Sequence, residues 1–318
     1  MNLYFAPLEG VTGFTYRNAF ADLFGGVDKY YAPFISPCVN DRLKGKEIRD
    51  ILPENNSEKV NLVPQILTNR ADYFIKATNQ IMTMGYTKEF NINIGCPSGT
   101  VVAKNKGAGF LRDTDAMDSF FEEIFSWRDS LIDGPEFSVK TRIGVNDAHE
   151  FAEIMEVYNR YPISELTIHP RTRKQMYRDT PNMEAFDYAV KVSKNPLCYN
   201  GDINSKEDYE RISQQYNIDS VMIGRGLIAN PQLVNEIKGG EKLTKDMLKT
   251  YHDRLYDDFE VIMKADKHLL FKMKEFWNYV SWNFEDEHKC AKLVRKAQNL
   301  YKYNQAVDEI FSTMDLKK

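Results

Sequence analysis

A (β/α)8 barrel followed by a small helical bundle is the fold this sequence predicts, on three observations. Short segments rich in β-formers alternate with longer amphipathic stretches from Met1 to about Gly240, and eight such segments can be counted. Beyond the Gly239-Gly240 pair the periodicity is helical throughout. No G-x-G-x-x-G follows the first segment to suggest an open dinucleotide-binding sheet, and eight βα units close more naturally than they lie flat. A length of 318 residues holds one barrel of about 250 residues and a small second unit, so the chain divides into 1–240 and 241–318.

The expected strands are Leu3–Leu8, Tyr30–Ile35, Val60–Ile66, Glu89–Ile94, Glu136–Thr141, Glu165–His169, Pro196–Asn200 and Ser220–Ile223, with helical periodicity between them, as over Asp147–Arg160 and Ser205–Tyr216. In the tail, Thr244–Lys264, His268–Asn283, His288–Tyr303 and Gln305–Met314 read as helices.

Composition narrows the function classes. With 42% hydrophobic and 28% charged residues the chain is globular material, and a net charge of −4 lacks the basic excess of a bulk nucleic-acid binder. Any RNA contact needs a local patch. The tail supplies one: residues 241–318 carry 15 Lys+Arg against 14 Asp+Glu, yet Lys289, Lys292, Arg295, Lys296 and Lys302 crowd one stretch with no acid among them. Such a run is either a solvated face or a phosphate-contacting surface. No apolar run approaches the roughly 20 residues of a membrane span, and MNLYFAPLEG lacks the basic-then-apolar layout of a signal peptide, so the expected location is cytoplasmic and the expected state a monomer without a membrane partner. Cys38, Cys96, Cys198 and Cys290 form no C-x-x-C pair, which argues against a disulfide framework, a zinc site or an iron–sulfur cluster; no metal is expected.

Catalytic groups of such barrels sit at the C-terminal ends of the strands. Here Gln65 ends the third segment, Asn93 and Cys96 the fourth, Lys140 and Arg142 the fifth, His169 the sixth, Asn200 and Asp202 the seventh, and Arg225 follows the eighth. The last two exits, Tyr199-Asn200-Gly201-Asp202 and Ile223-Gly224-Arg225-Gly226, pair glycine turns with an arginine. Backbone N–H groups can approach an anion there and Arg225 can bind it bidentately, so a phosphorylated cofactor or substrate is expected. Lys140 is suited to stabilise a reduced flavin, and His169 to donate to cofactor or substrate.

The segments Ala6–Thr12, Asn91–Ser98, Val139–Gly144, His169–Tyr177, Asn200–Ile203 and Gly224–Gly226 together resemble the ordered motifs of the tRNA-dihydrouridine synthases. The resemblance spans residues 6 to 226, and the helical tail resembles the family's RNA-binding unit. It implies FMN held by Pro7, Leu8, Glu9, Gln65, Lys140, His169, Asn200, Gly201, Asp202, Gly224 and Arg225, with Cys96 as catalytic acid and NADPH as reductant. The substrate implied is tRNA, contacted by Asn93, Arg142, Arg171, Arg173, Lys289, Lys292, Arg295 and Lys296, with Arg178 nearby. Two positions depart from the family pattern. Leu8 stands in place of the usual Met, and Pro170 replaces the usual Gly after the histidine, which removes an N–H and fixes φ.

Reduction of uridine at C5–C6 then divides into hydride addition to C6 and protonation of C5. A thiol with an ordinary pKa near 8.5 is a competent acid for the second step. A uridine in folded RNA must also be flipped out, at a cost of a few kcal/mol. Two alternatives remain: an FMN barrel acting on a small molecule such as dihydroorotate or an enone, which has no use for a basic tail, and an RNA-binding protein without turnover, which has no use for the Cys96, Lys140 and His169 set.

Overall fold

The computed structural model describes residues 1–37, 43 and 45–317; Cys38 therefore lies outside the described residues. Nine strand segments form one parallel sheet: β1 (Asn2–Phe5), β2 (Lys29–Tyr31), β3 (Leu62–Val63), β4 (Gln65–Ile66), β5 (Glu89–Ile94), β6 (Glu136–Arg142), β7 (Leu166–His169), β8 (Leu197–Tyr199) and β9 (Ser220–Ile223). Their order is β3-β2-β1-β9-β8-β7-β6-β5-β4. β3 and β4 flank Pro64, so the single strand expected over 60–66 is one stave interrupted by a residue that cannot donate to the ladder. Ile35 bridges the break: its N–H donates to the Gln65 carbonyl at 2.8 Å, and its own carbonyl accepts from Leu67 N–H at 2.8 Å. With β1 paired to β9 in the register Asn2↔Ser220 to Phe5↔Ile223, the ring of eight staves is complete. This is the expected barrel.

The period-two alternation of the strands separates two environments. On β5, Phe90, Ile92 and Ile94 are buried in the apolar layer between sheet and helices. Glu89, Asn91 and Asn93 alternate with them and face the other way. Inside the ring a small separate cluster of Tyr4, Ala6, Tyr31, Val63, Cys198 and Met222 fills the space.

Helix boundaries follow local capping. Ser205 Oγ accepts from Asp208 N–H at 3.2 Å and starts Lys206–Gln215, with Glu207 and Asp208 in the first turn where negative charge is favoured. The stretch expected as one helix over 147–160 begins as a 3-10 turn, Ala148–Glu150, inside an Asp147/Glu150 capping box and continues as Phe151–Tyr158.

The tail forms helices Lys245–Ile262, Asp266–Val280, Glu287–Lys296 and Leu300–Thr313. The helix expected over 288–303 is thus divided. Asn299 accepts from Lys302 N–H at 2.9 Å and caps a new helix, because its side chain competes for the backbone donors of the next turn. Lys302 consequently belongs to the last helix and not to the run from Lys289 to Lys296. The first tail helix lies against Phe14–Leu23 of the barrel: the Tyr251 ring stands 5.7 Å from Tyr16 and 5.2 Å from Phe24, both edge-on. Tyr303 ties the tail together, its hydroxyl 2.6 Å from His252 Nε2 and accepting from Trp277 Nε1 at 2.8 Å. One apolar core runs from the barrel helices into the tail. Among the described residues no helix is long and apolar enough to cross a membrane.

Candidate active site

Nine of the eleven residues expected to hold a cofactor converge at the mouth. Pro7, Leu8, Lys140, His169, Asn200, Gly201, Asp202, Gly224 and Arg225 line one small cavity of about 60 Å³, together with Ala6, Tyr177, Ile203, Asn204, Met222 and Gly226. The strand expected over 3–8 ends at Phe5, which frees Pro7 and Leu8 to line the pocket. Gln65 and Glu9 are not in this cavity. Gln65 is fully buried below it, donating to Asn91 Oδ1 and accepting from Asn93 Nδ2, both at 2.7 Å. Glu9 lines a separate cleft toward the tail.

Asp202 organises the side of the pocket formed by the seventh and eighth strand exits. Its carboxylate accepts from Arg225 Nη2 at 2.7 Å and from both terminal nitrogens of Arg171, one of them at 3.0 Å. Asp202 has φ 40°, a left-handed conformation that brings its side chain back over the turn. At Gly226 a Cβ would stand 2.1 Å from the Ile203 carbonyl, so only glycine lets the seventh and eighth loops touch. The helix after Gly224, Arg225–Ala229, has only five residues. A dipole from so short a helix is weaker than the sequence suggested, which leaves Arg225 as the stronger positive group at this turn.

Arg171, expected at the RNA, is 1% exposed, and it also donates to His169 Nε2 at 3.0 Å and to the Asp179 carbonyl at 2.6 Å, so in this structure its guanidinium anchors the loop. Because guanidinium only donates, His169 Nε2 is the acceptor and the proton sits on Nδ1. Burial first, then Arg142, Lys140, Arg171 and Arg225, hold the imidazole well below its ordinary pKa, so it is neutral. The Lys140 side chain, half-buried, makes no hydrogen bond among the described residues. Its pKa is pulled from 10.5 to about 8 by burial and the neighbouring Arg142.

The Cys96 loop is built from below. Asn93 Oδ1 accepts from Gly95 N–H at 3.1 Å and Cys96 N–H at 2.9 Å, and Arg142 Nε donates to the Gly95 carbonyl at 3.0 Å while its Nη1 donates to Thr172 O at 2.9 Å. Asn93 and Arg142, both expected at the RNA, are 7% and 1% exposed, and in this structure both hold the loop, Asn93 through its oxygen on two backbone N–H groups and its Nδ2 on Gln65, Arg142 through two backbone carbonyls. Gly107, at φ 53°, packs where a Cβ would meet Cys96 Cβ at 2.9 Å, a constraint that the Lys106-Gly107-Ala108-Gly109 run hints at but does not disclose. Cys96 is a free, partly buried thiol whose pKa is raised chiefly by burial, against lowering by the Ser98 backbone, Arg142 and Lys140. It stays protonated at neutral pH.

Tyr177 carries no role in the sequence reading although it closes the His169 motif. Its ring lines the pocket 4.6 Å from the Arg225 guanidinium and 5.4 Å from that of Arg142, and is itself 49% exposed. Arg173 is half-buried, with Nε lacking a partner.

Toward the tail lies an open cleft of about 1740 Å³ lined by Glu9, Phe14, Phe34, Lys46, Arg49, Phe259, Lys267, Phe271, Lys272, Lys274, Arg295 and Lys296 among others. Lys289, Lys292, Arg295 and Lys296 share the helix Glu287–Lys296 and are all exposed; Lys289 and Lys292 lie outside the cleft lining.

Comparison with known proteins agrees with this architecture. A probable tRNA-dihydrouridine synthase of Staphylococcus aureus (strain COL) is 28% identical over 264 residues, 80% of this chain and 77% of that protein. Probable tRNA-dihydrouridine synthase 2 of Bacillus subtilis (strain 168) is 27% identical over 80% of this chain and 78% of its own length. Among solved structures, morphinone reductase superposes with a TM-score of 0.52 at 12% identity over 79% of this chain and 88% of that one. Histamine dehydrogenase from Rhizobium sp. 4-9 gives 0.53 at 11% identity over 75% of this chain but only 45% of its own, so the likeness to it is of the barrel fold alone. The profile of the family described as Dihydrouridine synthase (Dus) matches residues 4–315. That span takes in the mouth, the Cys96 loop and every tail helix, and on it the chain belongs to the dihydrouridine synthase family.

Proposed function

We propose that this member of the family, an oxidoreductase acting on tRNA uridines, reduces the C5–C6 bond of particular uridines with FMN as cofactor, NADPH as reductant and Cys96 as the proton donor. The observation that carries the reading is the protonated, free Cys96 thiol, which lies outside the lining of the small cavity but close enough to Lys140, one of its lining residues, for the two to interact electrostatically.

The residues at the mouth fit a flavin mononucleotide. Lys140 has an ammonium with no hydrogen-bond partner among the described residues, matching an anionic ring edge; His169 offers an Nδ1–H; Arg225 and the Gly201 and Gly224 turns offer donors to one phosphate. Tyr177 lines the same cavity, its ring between the Arg142 and Arg225 guanidinium groups. Bound and reduced, FMN would supply hydride to uracil C6.

The chain's own residues do the rest. Cys96 keeps its proton through the pH range near neutrality and delivers it from Sγ to C5 as negative charge develops on the base. Asn93 and Arg142 hold the backbone of the loop that carries the thiol. Lys140 offsets negative charge at the mouth while charged, and His169, neutral, donates without repelling it.

For the RNA we propose that residues 241–318 act as the binding unit beside the catalytic 1–240. The exposed ammonium and guanidinium groups of Lys289, Lys292, Arg295 and Lys296 make no ion pair among the described residues and would meet phosphates, while the cleft that Arg295 and Lys296 line would receive the flipped nucleotide's strand. Arg173 would contribute from the barrel side. Mass spectrometry of tRNA from cells with and without this chain tests the proposal: one or more dihydrouridines disappear on deletion, and unchanged dihydrouridine at every position overturns it. Release of FMN from purified protein on denaturation tests the cofactor separately.

A further inference from the structure

We propose that the Lys29–Glu89 ion pair at the closed end of the barrel is a positioning element for the Cys96 loop, acting through a one-way chain of buried hydrogen bonds. Lys29 and Glu89 open β2 and β5, at the end opposite the mouth. From Glu89 to Asn93 the strand rises ~13 Å.

The links are continuous. Lys29 Nζ donates to Glu89 Oε2 at 2.6 Å, and Ser138 Oγ donates to the other oxygen, Oε1, at 2.6 Å. Ser138 Oγ accepts from Asn91 Nδ2 at 2.8 Å, Asn91 Oδ1 accepts from Gln65 Nε2 at 2.7 Å, and Gln65 Oε1 accepts from Asn93 Nδ2 at 2.7 Å. Asn93 Oδ1 then receives the Gly95 and Cys96 N–H groups. Asn91, Gln65 and Ser138 are each 0% exposed and Asn93 is 7% exposed, so a reversed amide cannot turn to bulk solvent for a partner.

Both ends of the chain dictate the same direction. A carboxylate only accepts, so Ser138 must donate to it, and each following amide must point its N–H groups toward Glu89. Backbone N–H groups only donate, so Asn93 must show them its oxygen. The network is satisfied in one orientation, and the charge at the bottom selects it.

Glu89→Gln tests the direction. Lys29 can accept nothing, so it claims the new amide's oxygen and turns the NH2 group toward Ser138. Ser138 then either accepts from both amides, leaving its own O–H unpaired, or donates to Asn91; in the second arrangement the three amides flip in succession, Asn93 meets the Gly95 and Cys96 N–H groups with an N–H of its own, and the loop loosens in proportion to its population. The same logic predicts rescue. In Lys29→Met with Glu89→Gln the glutamine is free to turn its oxygen back to Ser138, restoring the original orientation although both charges are gone.

This inference rests on the reading of Cys96 as proton donor only for its catalytic consequence; the test concerns loop order. Hydrogen–deuterium exchange of the purified full chain, followed in peptides covering Gly95 and Cys96, should accelerate by about tenfold in Glu89→Gln, with peptides over Lys206–Gln215 unchanged. The Lys29→Met/Glu89→Gln protein should exchange more slowly there than Glu89→Gln alone. Ser138→Ala, which cuts the chain with the ion pair intact, should also loosen the loop, and combining it with Glu89→Gln should add little. Exchange at the loop unchanged in Glu89→Gln, or no slower in the double variant, overturns the proposal. Should Glu89→Gln fail to fold, a normal loop in Ser138→Ala does so instead. An absence of dihydrouridine formation would leave these exchange outcomes as they are.

Discussion

The mouth of the barrel and the basic helix of the tail solve opposite problems with the same residue types. At the mouth the cations are buried or half-buried and interlocked: Arg171 and Arg225 share Asp202, Arg142 is spent on two carbonyls, and Lys140 loses part of its proton affinity to burial. On the tail helix, Lys289, Lys292, Arg295 and Lys296 stand in solvent. A cation held at 1% exposure fixes geometry, and one in solvent supplies a screened, roughly additive attraction. Substitutions should therefore propagate in the first region and sum in the second.

The largest expected effect probes the mouth. Cys96→Ala should retain FMN, its reduction by NADPH and RNA affinity, yet lose roughly 10²–10⁴-fold in dihydrouridine formation, the usual contribution of a positioned general acid. Single-turnover oxidation of pre-reduced enzyme by unmodified tRNA measures this, and a wild-type rate there removes Cys96 from the chemistry.

Next in size is Asp202→Ala, which strands the Arg171 guanidinium. The cost should be roughly 2–3 kcal/mol, below the 3–5 of a fully buried pair because Asp202 is 29% exposed. Chemical denaturation reads it; a change under about 0.5 kcal/mol, the scale of an ordinary surface site, would put the mouth on the same footing as the tail.

On the tail, Lys289→Gln, Lys292→Gln and Lys296→Gln together should lower the log–log salt slope of tRNA binding by at most about one unit each, with single variants summing. A slope left unchanged would return this helix to an ordinary solvated face.

The smallest effect is on stability. Lys140 has a folded pKa of about 8 against 10.5, so between those values the unfolded chain holds the extra proton and stability rises with pH; below about 8 the buried charge costs its full amount. In cofactor-free protein Lys140→Met should raise Tm at pH 7 by roughly 2 °C, and the gain should fade as pH passes from 8 to 10.5. A gain independent of pH would mean that methionine merely packs better.

What the sequence disclosed follows the same division. Strand exits and the glycine turns were legible because period two and loop chemistry are local, and β5 and β9 match expectation to the residue. Roles were less legible where burial matters: Asn93, Arg142 and Arg171 look like ligand contacts in one dimension, and their burial and bonds to Gly95, Thr172 and Asp202 were not visible there, since only the closed ring brings these groups together. The break at Asn299 eluded periodicity because apolar spacing runs on through Leu300 and Tyr303, and a cap outweighs it locally.

The pairing of β1 with β9 sets a timetable for the nascent chain. Asn2 cannot meet Ser220 until the intervening residues have been made, which at about 5–20 residues per second takes roughly 10–40 s. Through that interval the first strand has an open edge, and the Phe14–Leu23 helix waits longer still for Tyr251 to cover it. A ribosome that stalls before codon 220 holds out an incomplete sheet with apolar faces bare, so slow translation of this message should recruit chaperones to its N-terminal half.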